Sequence, residues 1–568
     1  MSSRKLIGVG LLVALFVLGV FSLSQGASLR PETAARQQAI SAMAPIGIER
    51  EGAADEAVPA AGTVAPMSVN LADVPVGEYD PFNQFDRWQR GELDLQELDG
   101  IRSAAELAAL RAAAAELSVS GNVQNIAAAR SADGIQATQG RFPSIDINGC
   151  CGGGANVPPD PEMAAGPNHL IAVVNVAFEI YNKSGTSLTG GPVTLQSFLG
   201  ANPTCTGVFD PNVLYDEKAD RWMIAADANG THYCAAVSQT NNPLGSYWVY
   251  AFPTGSATLF FDYPHAGIGE DAIYLGANMF QNAAFFLDSR VWALDKAAMY
   301  TGASAAFIMQ NLGAAHDTPQ PLNLHGWNQG TWPANDTHYF FAETNFNGAD
   351  HTLFSWDGPF SGPNTFATVS GVNLNTATGV VAGFPVNVTQ AGGGGLITAN
   401  DWRPLDFEYR NGYGWTTMTI GCNPGGGTVN CVRWAQINLN TGAIGPAGAG
   451  VFASNGTHRF FPDLAVNQCD TMAVGYSRSG SSEFPGMWAA GRKASTPPGV
   501  IGKERIIKNG EITYTAFDPA PRRWGDYTGM TIDPDGLTFW YLGEYSKNTG
   551  NPNGRWGTYI GYLQTACP

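Results

Sequence analysis

Acidic side chains recur where a short motif restarts along this chain. The motif is a turn residue or an aromatic, usually followed by proline and a strand-like run, as in Asp160-PEMAAGPNHLIAVVN. If the motif starts face one another, their carboxylates repel one another unless a cation neutralises them, and hard oxygen ligands suit calcium. The alternative is that each aspartate caps its own turn. The calcium ligands predicted in this way are Asp160, Glu162, Asp210 and Asp463, with Asp526 and Asp406 close by.

Basic side chains also accompany the motif. Arginines lie at or within two residues of three consecutive starts, at Arg403, Arg459 and Arg523. Guanidinium groups bind carboxylate and sulfate in a bidentate manner, so three of them around one axis predict a receptor for an acidic sugar. Trp402 and Trp524 stand beside two of these arginines and offer rings on which a sugar can stack. The alternative is that the arginines pair with carboxylates such as Asp463 and Asp526, and that the tryptophans pack in the core.

Residue types that could cleave a glycosidic bond occur near the same starts. A glycosidase needs two carboxyl groups, or a tyrosine and a carboxyl group, across a ligand-sized gap. The candidates for these roles are Tyr527, Glu544 and Asp210. A polysaccharide lyase would instead use histidine and tyrosine as acid and base, with Arg403 neutralising a uronate. The candidate histidines are His265 and His325, and the alternative for both is a hydrogen-bonded structural role.

The spacing of the motif predicts the elements that carry these residues. Seven starts can be aligned, 50 to 83 residues apart, and most run strand, polar turn, strand. A period of this length with about four short strands per unit is typical of a β-propeller. We therefore predict an all-β fold with seven blades, or six if the weak fourth start, Gln320-PLNLHGWNQG, is spurious. The last blade lacks one strand, which Phe142-PSIDIN can supply to close the ring.

Five segments in a fixed order resemble a broad family of secreted bacterial β-propeller proteins. They are PPDPEMAAGPNHLIAVVN, DPNVLYDEKADRWMIA, LGSYWVYAF, FDYPHAGIGEDAIYLGANMF and RWGDYTGMTIDPDGLTFWYLGEY. The resemblance covers about residues 142–568 and implies the fold and an association with adhesive or cell-surface modules, but no established activity. A weaker resemblance links the chain to sialidases, which arrange three arginines in this way. DPDGLTFW is similar to their structural Asp-box with an altered spacing.

Composition separates the chain into three parts. Residues 1–27 combine a basic start with the apolar run 6–23 and predict a signal peptide, or an uncleaved N-terminal anchor as the alternative. Residues 28–140 are Ala-rich and are predicted to be a linker or propeptide with one helix, opened by a capping box at Ser103 and Glu106. Residues 141–568 form the predicted propeller. The net charge of −18 argues against a nucleic-acid partner.

Eight cysteines in an exported chain predict disulfides. Two local pairs are expected, Cys205 with Cys234 and Cys422 with Cys431. We further predict a bond between Cys150 and Cys567 that staples the two ends of the ring. The competing assignment joins Cys150 to Cys151 and Cys469 to Cys567.

These patterns favour an exported binding or interaction module at or outside the cell surface, with a glycan or a surface protein as its partner. Calcium is the one cofactor considered. The alternative is a polysaccharide-active enzyme, either a sialidase-like glycoside hydrolase or a lyase, with its site at the mouth of the central channel.

Overall fold

The computed structural model describes residues 58–80, 82, 84–90, 102–136, 140–150, 156–550, 554–565 and 567. The candidate signal peptide lies outside these residues. Within them the strands form seven sheets, and the first strand of each sheet contacts the first strand of the next in cyclic order. The chain is therefore a seven-bladed β-propeller, as predicted, and the six-bladed alternative is wrong.

The first three blades follow one another along the chain, each written from its innermost strand outward. Blade 1 consists of Glu162–Ala165, His169–Val174, Ala177–Asn182 and Val193–Thr194. Blade 2 consists of Val208–Asp216, Arg221–Ala228, His232–Ser238, Ser246–Pro253 and, from the N-terminal segment, Met67–Asn70. Blade 3 consists of Leu259–Ile268, Ala272–Gln281, Phe285–Asp295, Ala305–Gly313 and, again from the N-terminal segment, Ala61–Val64.

Four more blades complete the ring. Blade 4 consists of His316–Pro321, Thr337–Thr344, Asp350–Asp357 and Thr365–Asn373. Blade 5 consists of Pro404–Arg410, Tyr413–Cys422, Val429–Asn438, Ile444–Ala453 and the parallel strand Val123–Asn125. Blade 6 consists of His458–Val466, Met472–Gly480, Glu483–Arg492 and Arg505–Lys508. Blade 7 consists of Gly529–Ile532, Thr538–Lys547, Arg555–Gln564 and the N-terminal strand Gly140–Asp146, which closes the ring as predicted.

Among the described residues, helices are few and short. The longest, Ala104–Ala115, begins with the predicted capping box: the Ser103 hydroxyl accepts from the Glu106 N–H, and the Glu106 carboxylate accepts from the Ser103 N–H. Its buried Leu107 packs with the core of blade 5. The other α-helices are Gln84–Gln89, Leu195–Leu199, Lys296–Thr301 and Leu374–Thr378. The 3-10 helices are Leu71–Asp73, Ile126–Ala128, Ser131–Asp133 and Ala391–Gly393. Among the residues that the structure describes, we find no helix with both the length and the apolar character needed to cross a bilayer.

The motif start gives every blade except blade 5 a distinctive backbone conformation at or just before its innermost strand. A break in strand register accompanies the start of blades 2 to 6. One residue adopts a left-handed conformation with φ between 44° and 64°, and in five blades the next residue is proline. The left-handed residues are Asp160, Asp210, Tyr263, Thr318, Phe461 and Asp526. Such a bulge re-aims the side chains that follow it. In blade 4 the left-handed residue is Thr318, so that blade starts two residues before the predicted start at Gln320.

Polar side chains two residues after these left-handed positions, and Asp406 at the corresponding place in blade 5, bind the innermost strand of the following blade. Glu162 accepts from the Val213 N–H at 3.0 Å, and Asp463 accepts from the Met530 N–H at 2.7 Å. We call the five residues that make such bonds the latch residues. They are Glu162, Asn212, Gln320, Asp406 and Asp463. Five of the seven blade junctions are therefore bridged by a buried or partly buried side-chain hydrogen bond to backbone.

Three disulfides among the described residues have both partners assigned. Cys205–Cys234 and Cys422–Cys431 are confirmed. The predicted Cys150–Cys567 bond is wrong, because Cys567 is bonded to Cys469 in a hairpin turn of blade 6. Cys150 is disulfide-bonded as well. The ring is closed by pairing of the strand Gly140–Asp146, so no terminal disulfide is needed for closure. The three bonds indicate an oxidising environment.

We predict that removing a latch destabilises the whole propeller. In Asp463→Ala the buried Met530 N–H loses its acceptor, so the free energy of unfolding should fall by about 2 kcal/mol. The exposed Asp73→Ala variant is the control and should change stability by no more than about 0.5 kcal/mol. Denaturant unfolding of the two variants provides the measurement. Equal stability of Asp463→Ala and wild type would contradict a structural role for the latch.

Candidate functional site

The candidate site lies at the channel mouth, where the innermost strands of blades 7, 1 and 2 begin. We define the mouth cluster as Asp160, Asp210, Tyr263, Arg523, Asp526 and Tyr527. Asp526, Asp160 and Asp210 are the left-handed residues of these three neighbouring blades, which is why their carboxyl groups come together. The Arg523 Nη2 atom donates to Asp526 Oδ2 at 2.6 Å. The Arg523 side chain is 30% exposed, against 12% for Asp526, so Arg523 is the more exposed partner of this ion pair.

Two of these carboxyl groups are hard to ionise. Burial raises the pKa of Asp160 well above its usual range, and Asp526 and Asp210 raise it further. Burial, Asp262 and Asp526 likewise raise the pKa of Asp210. Burial lowers the pKa of Arg523, but Asp526 and Asp160 more than offset this, so that its pKa lies above the ordinary value. The guanidinium therefore stays charged while carboxyl groups beside it can hold a proton.

Amide side chains and backbone groups fix this arrangement. Asn175 donates to Asp160 Oδ2 at 2.6 Å and accepts from the Asp210 N–H at 3.3 Å. Asn400, from the long loop before blade 5, donates to Asp526 Oδ1 at 2.6 Å. Oδ1 of Asp160 is buried with no hydrogen-bond partner among the described residues. The cluster thus keeps an unused acceptor.

Two tyrosines form the floor of the cluster. Tyr263 stacks on Tyr527 with ring centroids 4.8 Å apart, and its hydroxyl donates to the backbone oxygen of Asp526 at 2.6 Å. The Tyr527 hydroxyl donates to Asp210 Oδ2 at 3.2 Å. Burial, followed by Asp210 and Tyr263, raises the pKa of Tyr527 well above its usual range. Tyr527 is therefore a neutral hydrogen-bond donor at ordinary pH.

Glu544, the other predicted catalytic carboxyl group, lies below the cluster. Its Oε2 atom accepts from the Gly525 N–H at 2.9 Å, and its Oε1 atom is buried without a partner in the described part of the chain. Burial raises its pKa well above the usual range. Glu544 thus supports the turn that presents Asp526.

The three predicted arginines do not share one ligand position. Arg403 makes a bidentate ion pair with Asp401 at 2.7 and 2.8 Å, and its guanidinium carbon lies 4.4 Å from the Tyr263 ring centroid. Arg459 is fully buried in a bidentate pair with Glu504 at 2.7 and 3.0 Å. Of the three, only Arg523 belongs to the mouth cluster, where its side chain is partly exposed.

The predicted stacking tryptophans are both buried. Trp524 is 0% exposed and donates its ring N–H to the Ser477 hydroxyl. Trp402 is 4% exposed and packs edge-on against Phe384, with ring centroids 4.9 Å apart. Neither indole presents a face to a ligand in this structure, because both fill space between loops and blades.

The four predicted calcium ligands separate into two levels. Asp160 and Asp210 belong to the mouth cluster, whereas Glu162 and Asp463 are latch residues lower in the channel. No group of three or more His, Cys, Asp or Glu side chains suited to a metal ion occurs among the described residues. Calcium binding stays an untested prediction.

The channel below the mouth cluster is narrow. Its cavity measures about 50 Å³ and is lined in part by Glu162, His265, Asp406, Asp463 and Tyr527. This volume holds one or two water molecules, far less than the several hundred Å³ of a ligand pocket. Burial raises the pKa of Glu162 to about 8. A sugar-sized ligand would therefore have to bind at the outer face of the mouth, because the channel is too small for it.

The two predicted catalytic histidines lie apart and have opposite charge states. His265 packs against Tyr263 and Tyr527 at the mouth, and burial, aided by Arg403, lowers its pKa to about 3. His325 follows the innermost strand of blade 4, between Glu217 at 3.3 Å and Glu408 at 3.0 Å. Neither has the pKa near 7 that suits a general acid or base.

Sequence reasoning missed several residues of the site. Tyr263 occupies a motif start and was visible there as an aromatic before proline. Asn175 and Asn400 carry no such signal, because their roles depend on how loops fold back over the blades. Asp401, the acidic partner of Arg403, lies only two residues before it in the sequence, and this spacing could have predicted a local ion pair.

No family model matches the chain, and no curated protein matches it. Solved structures of similar architecture exist at low identity. The chain is similar to a mutant of NanB sialidase from Streptococcus pneumoniae, at 8% identity over 70% of this chain and 82% of that chain, with a TM-score of 0.35. It is also similar to an ulvan lyase, at 10% identity over 59% of this chain and 76% of that chain, with a TM-score of 0.35. A third similar structure is the Nup133 β-propeller domain of Vanderwaltozyma polyspora, at 9% identity over 71% of this chain and 94% of that chain, with a TM-score of 0.36. These likenesses compare architecture and carry no argument about the site.

We predict that His325 makes the propeller less stable as pH rises above neutrality. Burial lowers the pKa of His325, but Glu408 and Glu217 outweigh burial and raise it from 6.5 to about 9. Because the pKa of His325 is higher in the folded state than in the unfolded state, its protonation stabilises the fold. This contribution is complete below pH 6.5 and is lost as pH rises through 9, by up to about 1.4 kcal/mol per pH unit. The difference in free energy of unfolding between wild type and His325→Gln should therefore shrink over this range.

Denaturant unfolding from pH 6 to pH 10 checks this expectation. The control variant is His169→Gln, because burial lowers the pKa of His169 instead of raising it. A difference between wild type and His325→Gln that stays constant with pH would show that the imidazolium does not hold these blades together.

Proposed function

We propose that this protein is an exported, non-catalytic carbohydrate-binding module that meets its ligand at the channel mouth. The observation that carries the proposal is the partly exposed Arg523 side chain, held among three buried carboxyl groups beside a stacked tyrosine pair. Sugar rings offer many hydroxyl groups, which can both donate to carboxylates and accept from a guanidinium. The three disulfides support an oxidising environment, and the apolar run 6–23 is consistent with export.

The state of Tyr527 favours binding over catalysis. A tyrosine nucleophile must lose its proton, whereas burial and Asp210 raise the pKa of Tyr527 well above its usual range. The Tyr527 hydroxyl donates a hydrogen bond to Asp210, and Tyr527 as a whole is only 4% exposed. A cluster whose hydrogen bonds are already formed is suited to recognition through its partly exposed arginine, Arg523.

One observation favours a second candidate function, a glycoside hydrolase. The raised pKa of Asp210 would keep this carboxyl group protonated, as a general acid requires. Asp526 would then be the second carboxyl group. In that case Asp210→Asn should abolish turnover of a glycan while leaving binding intact.

The proposal predicts that Arg523 determines glycan binding. A glycan array followed by calorimetry should identify a ligand, and Arg523→Gln should weaken it roughly tenfold or more through loss of a charged hydrogen bond. Arg130→Gln is the matched control, because Arg130 also pairs with a carboxylate three residues later, on the outer rim. Its affinity should equal that of wild type.

Two results would contradict the proposal. Release of reducing ends or unsaturated products from the bound glycan would identify an enzyme. The second result is that Arg523→Gln binds the glycan as tightly as wild type while being as stable as Arg130→Gln. Recognition would then lie outside the mouth cluster.

A further inference from the structure

A fifth strand covers the outer edge of three blades. Met67–Asn70 pairs with the outer strand of blade 2, Ala61–Val64 with that of blade 3, and Val123–Asn125 with that of blade 5. All three strands come from the chain before blade 1 begins. The edge of a sheet carries unpaired N–H and C=O groups, which a further strand satisfies. We call residues 61–70, which hold the first two of these strands, the strap.

The strap passes from blade to blade around the outer rim. Read toward the N-terminus, it covers blade 2 first and blade 3 second, and both pairings are antiparallel. Only Ala65 and Pro66 lie between its two strands. The described chain starts at residue 58 beside blade 3, where the Ala60 oxygen accepts from the Met309 N–H at 2.7 Å. The next blade in the same direction is blade 4, because its innermost strand contacts that of blade 3.

Blade 4 has an outer edge that no described strand covers. Its outer strand, Thr365–Asn373, pairs with Asp350–Asp357 on one side and with no other strand in the described part of the chain. Five of its nine residues are exposed. Its sequence, TFATVSGVN, holds no charged residue and no proline, the residue types that usually keep an edge from pairing. This edge is therefore suited to receive a strand.

The other blades without a fifth strand have protected edges. Blade 1 ends in Val193–Thr194, which has only two residues. Blade 6 ends in Arg505–Lys508, which has a cation at each end. Blade 7 ends in Gly140–Asp146, which contains an arginine, a proline and an aspartate. Short strands, charges and prolines all discourage pairing at an edge, so blade 4 alone among these four lacks such protection.

A hexapeptide similar to part of the strap precedes the described residues. Residues 65–70 of the strap read APMSVN, and residues 44–49 read APIGIE. Both run Ala-Pro, a large apolar residue, a small residue, a β-branched residue and a polar one, a pattern compatible with a short strand. Residues 50–60 separate the second hexapeptide from the strap, and eleven extended residues span up to roughly 36 Å. Two residues are enough between blades 2 and 3, so this link can reach blade 4.

We propose that residues 46–49 form the fifth strand of blade 4, antiparallel to Thr365–Asn373, so that the strap continues onto a third consecutive blade. Both strap strands pair with the first half of an outer strand, at residues 246–249 and 305–308. The equivalent partner in blade 4 is residues 365–368. The occupant of this edge is the protein's own chain, and the assignment is independent of the ligand proposed for the channel mouth.

Amide hydrogen exchange of the full chain tests this assignment. In wild type, the amides of Thr365–Asn373 that point away from Asp350–Asp357 should be protected. The variant Gly47→Pro/Ile48→Pro should make these amides exchange roughly tenfold or more faster. Consecutive N–H groups of a strand point to opposite sides, so one of the two prolines removes a ladder donor in either register. Equal exchange in this variant and wild type would overturn the proposal.

Two further double-proline variants are the controls. Ala53→Pro/Ala54→Pro places the same two prolines in the link between the hexapeptide and the strap, and its blade 4 amides should exchange as in wild type. Ser68→Pro/Val69→Pro breaks the observed pairing with blade 2 and should speed exchange of the outward amides of Ser246–Pro253. This second control shows that the measurement detects the loss of a strap strand. Equal acceleration at blade 4 by Ala53→Pro/Ala54→Pro would contradict the assignment to residues 46–49.

Light scattering over a range of protein concentrations identifies the occupant of the edge. A monomer whose blade 4 edge amides remain protected on dilution supports the proposal. Dimers whose dissociation on dilution removes this protection would assign the edge to a second copy and overturn it. Edge amides that are unprotected in wild type at every concentration would also overturn it.

Discussion

The rest of the structure depends on the backbone conformation at the start of six of the seven innermost strands. One left-handed residue there turns the following polar side chain toward the next blade, where it must find a hydrogen-bond partner because it is buried. Glu162 and Asp463 find backbone N–H groups, and Asn212 and Gln320 find backbone oxygens. Adjacent blades are thereby joined at the axis by directional bonds, in addition to the apolar layers between them.

This constraint also explains why the channel has so little room. The latch residues fill it with carboxyl and amide groups committed to backbone partners, and innermost strands approach closely. A Cβ atom added at Gly529, for example, would lie 2.5 Å from the Met163 nitrogen. Recognition is left to the outer face, where bulges in three adjacent blades bring Asp526, Asp160 and Asp210 together. There the Arg523 side chain remains partly exposed.

The architecture was predictable because the bulge leaves a trace in the sequence. A turn residue or aromatic before proline marked most blades, and Phe142 was predicted in the closing strand that contains it. The fourth start was predicted two residues too late. Both Pro319 and Pro321 fit the proline of the motif, and only the strand register of the structure shows which of them marks the start.

The partners of individual side chains were not predictable in the same way. Arg403 and Arg459 have the residue type and position of ligand-binding groups, but each is bound to a carboxylate supplied by a loop, at Asp401 and Glu504. The Cys469–Cys567 bond likewise depends on where the chain end returns after blade 7. Such pairings follow from loop paths and rotamers, which spacing does not encode.

Amide hydrogen exchange at the blade junctions tests the central claim, that latch side chains hold adjacent blades together. In wild type, the amides of Met530 and Val213 should exchange as slowly as the core strands. In Asp463→Ala, protection should be lost at Met530 and retained at Val213, whose acceptor Glu162 is intact. Unchanged protection at Met530 in that variant would contradict the account, because the amide would then owe its protection to packing alone.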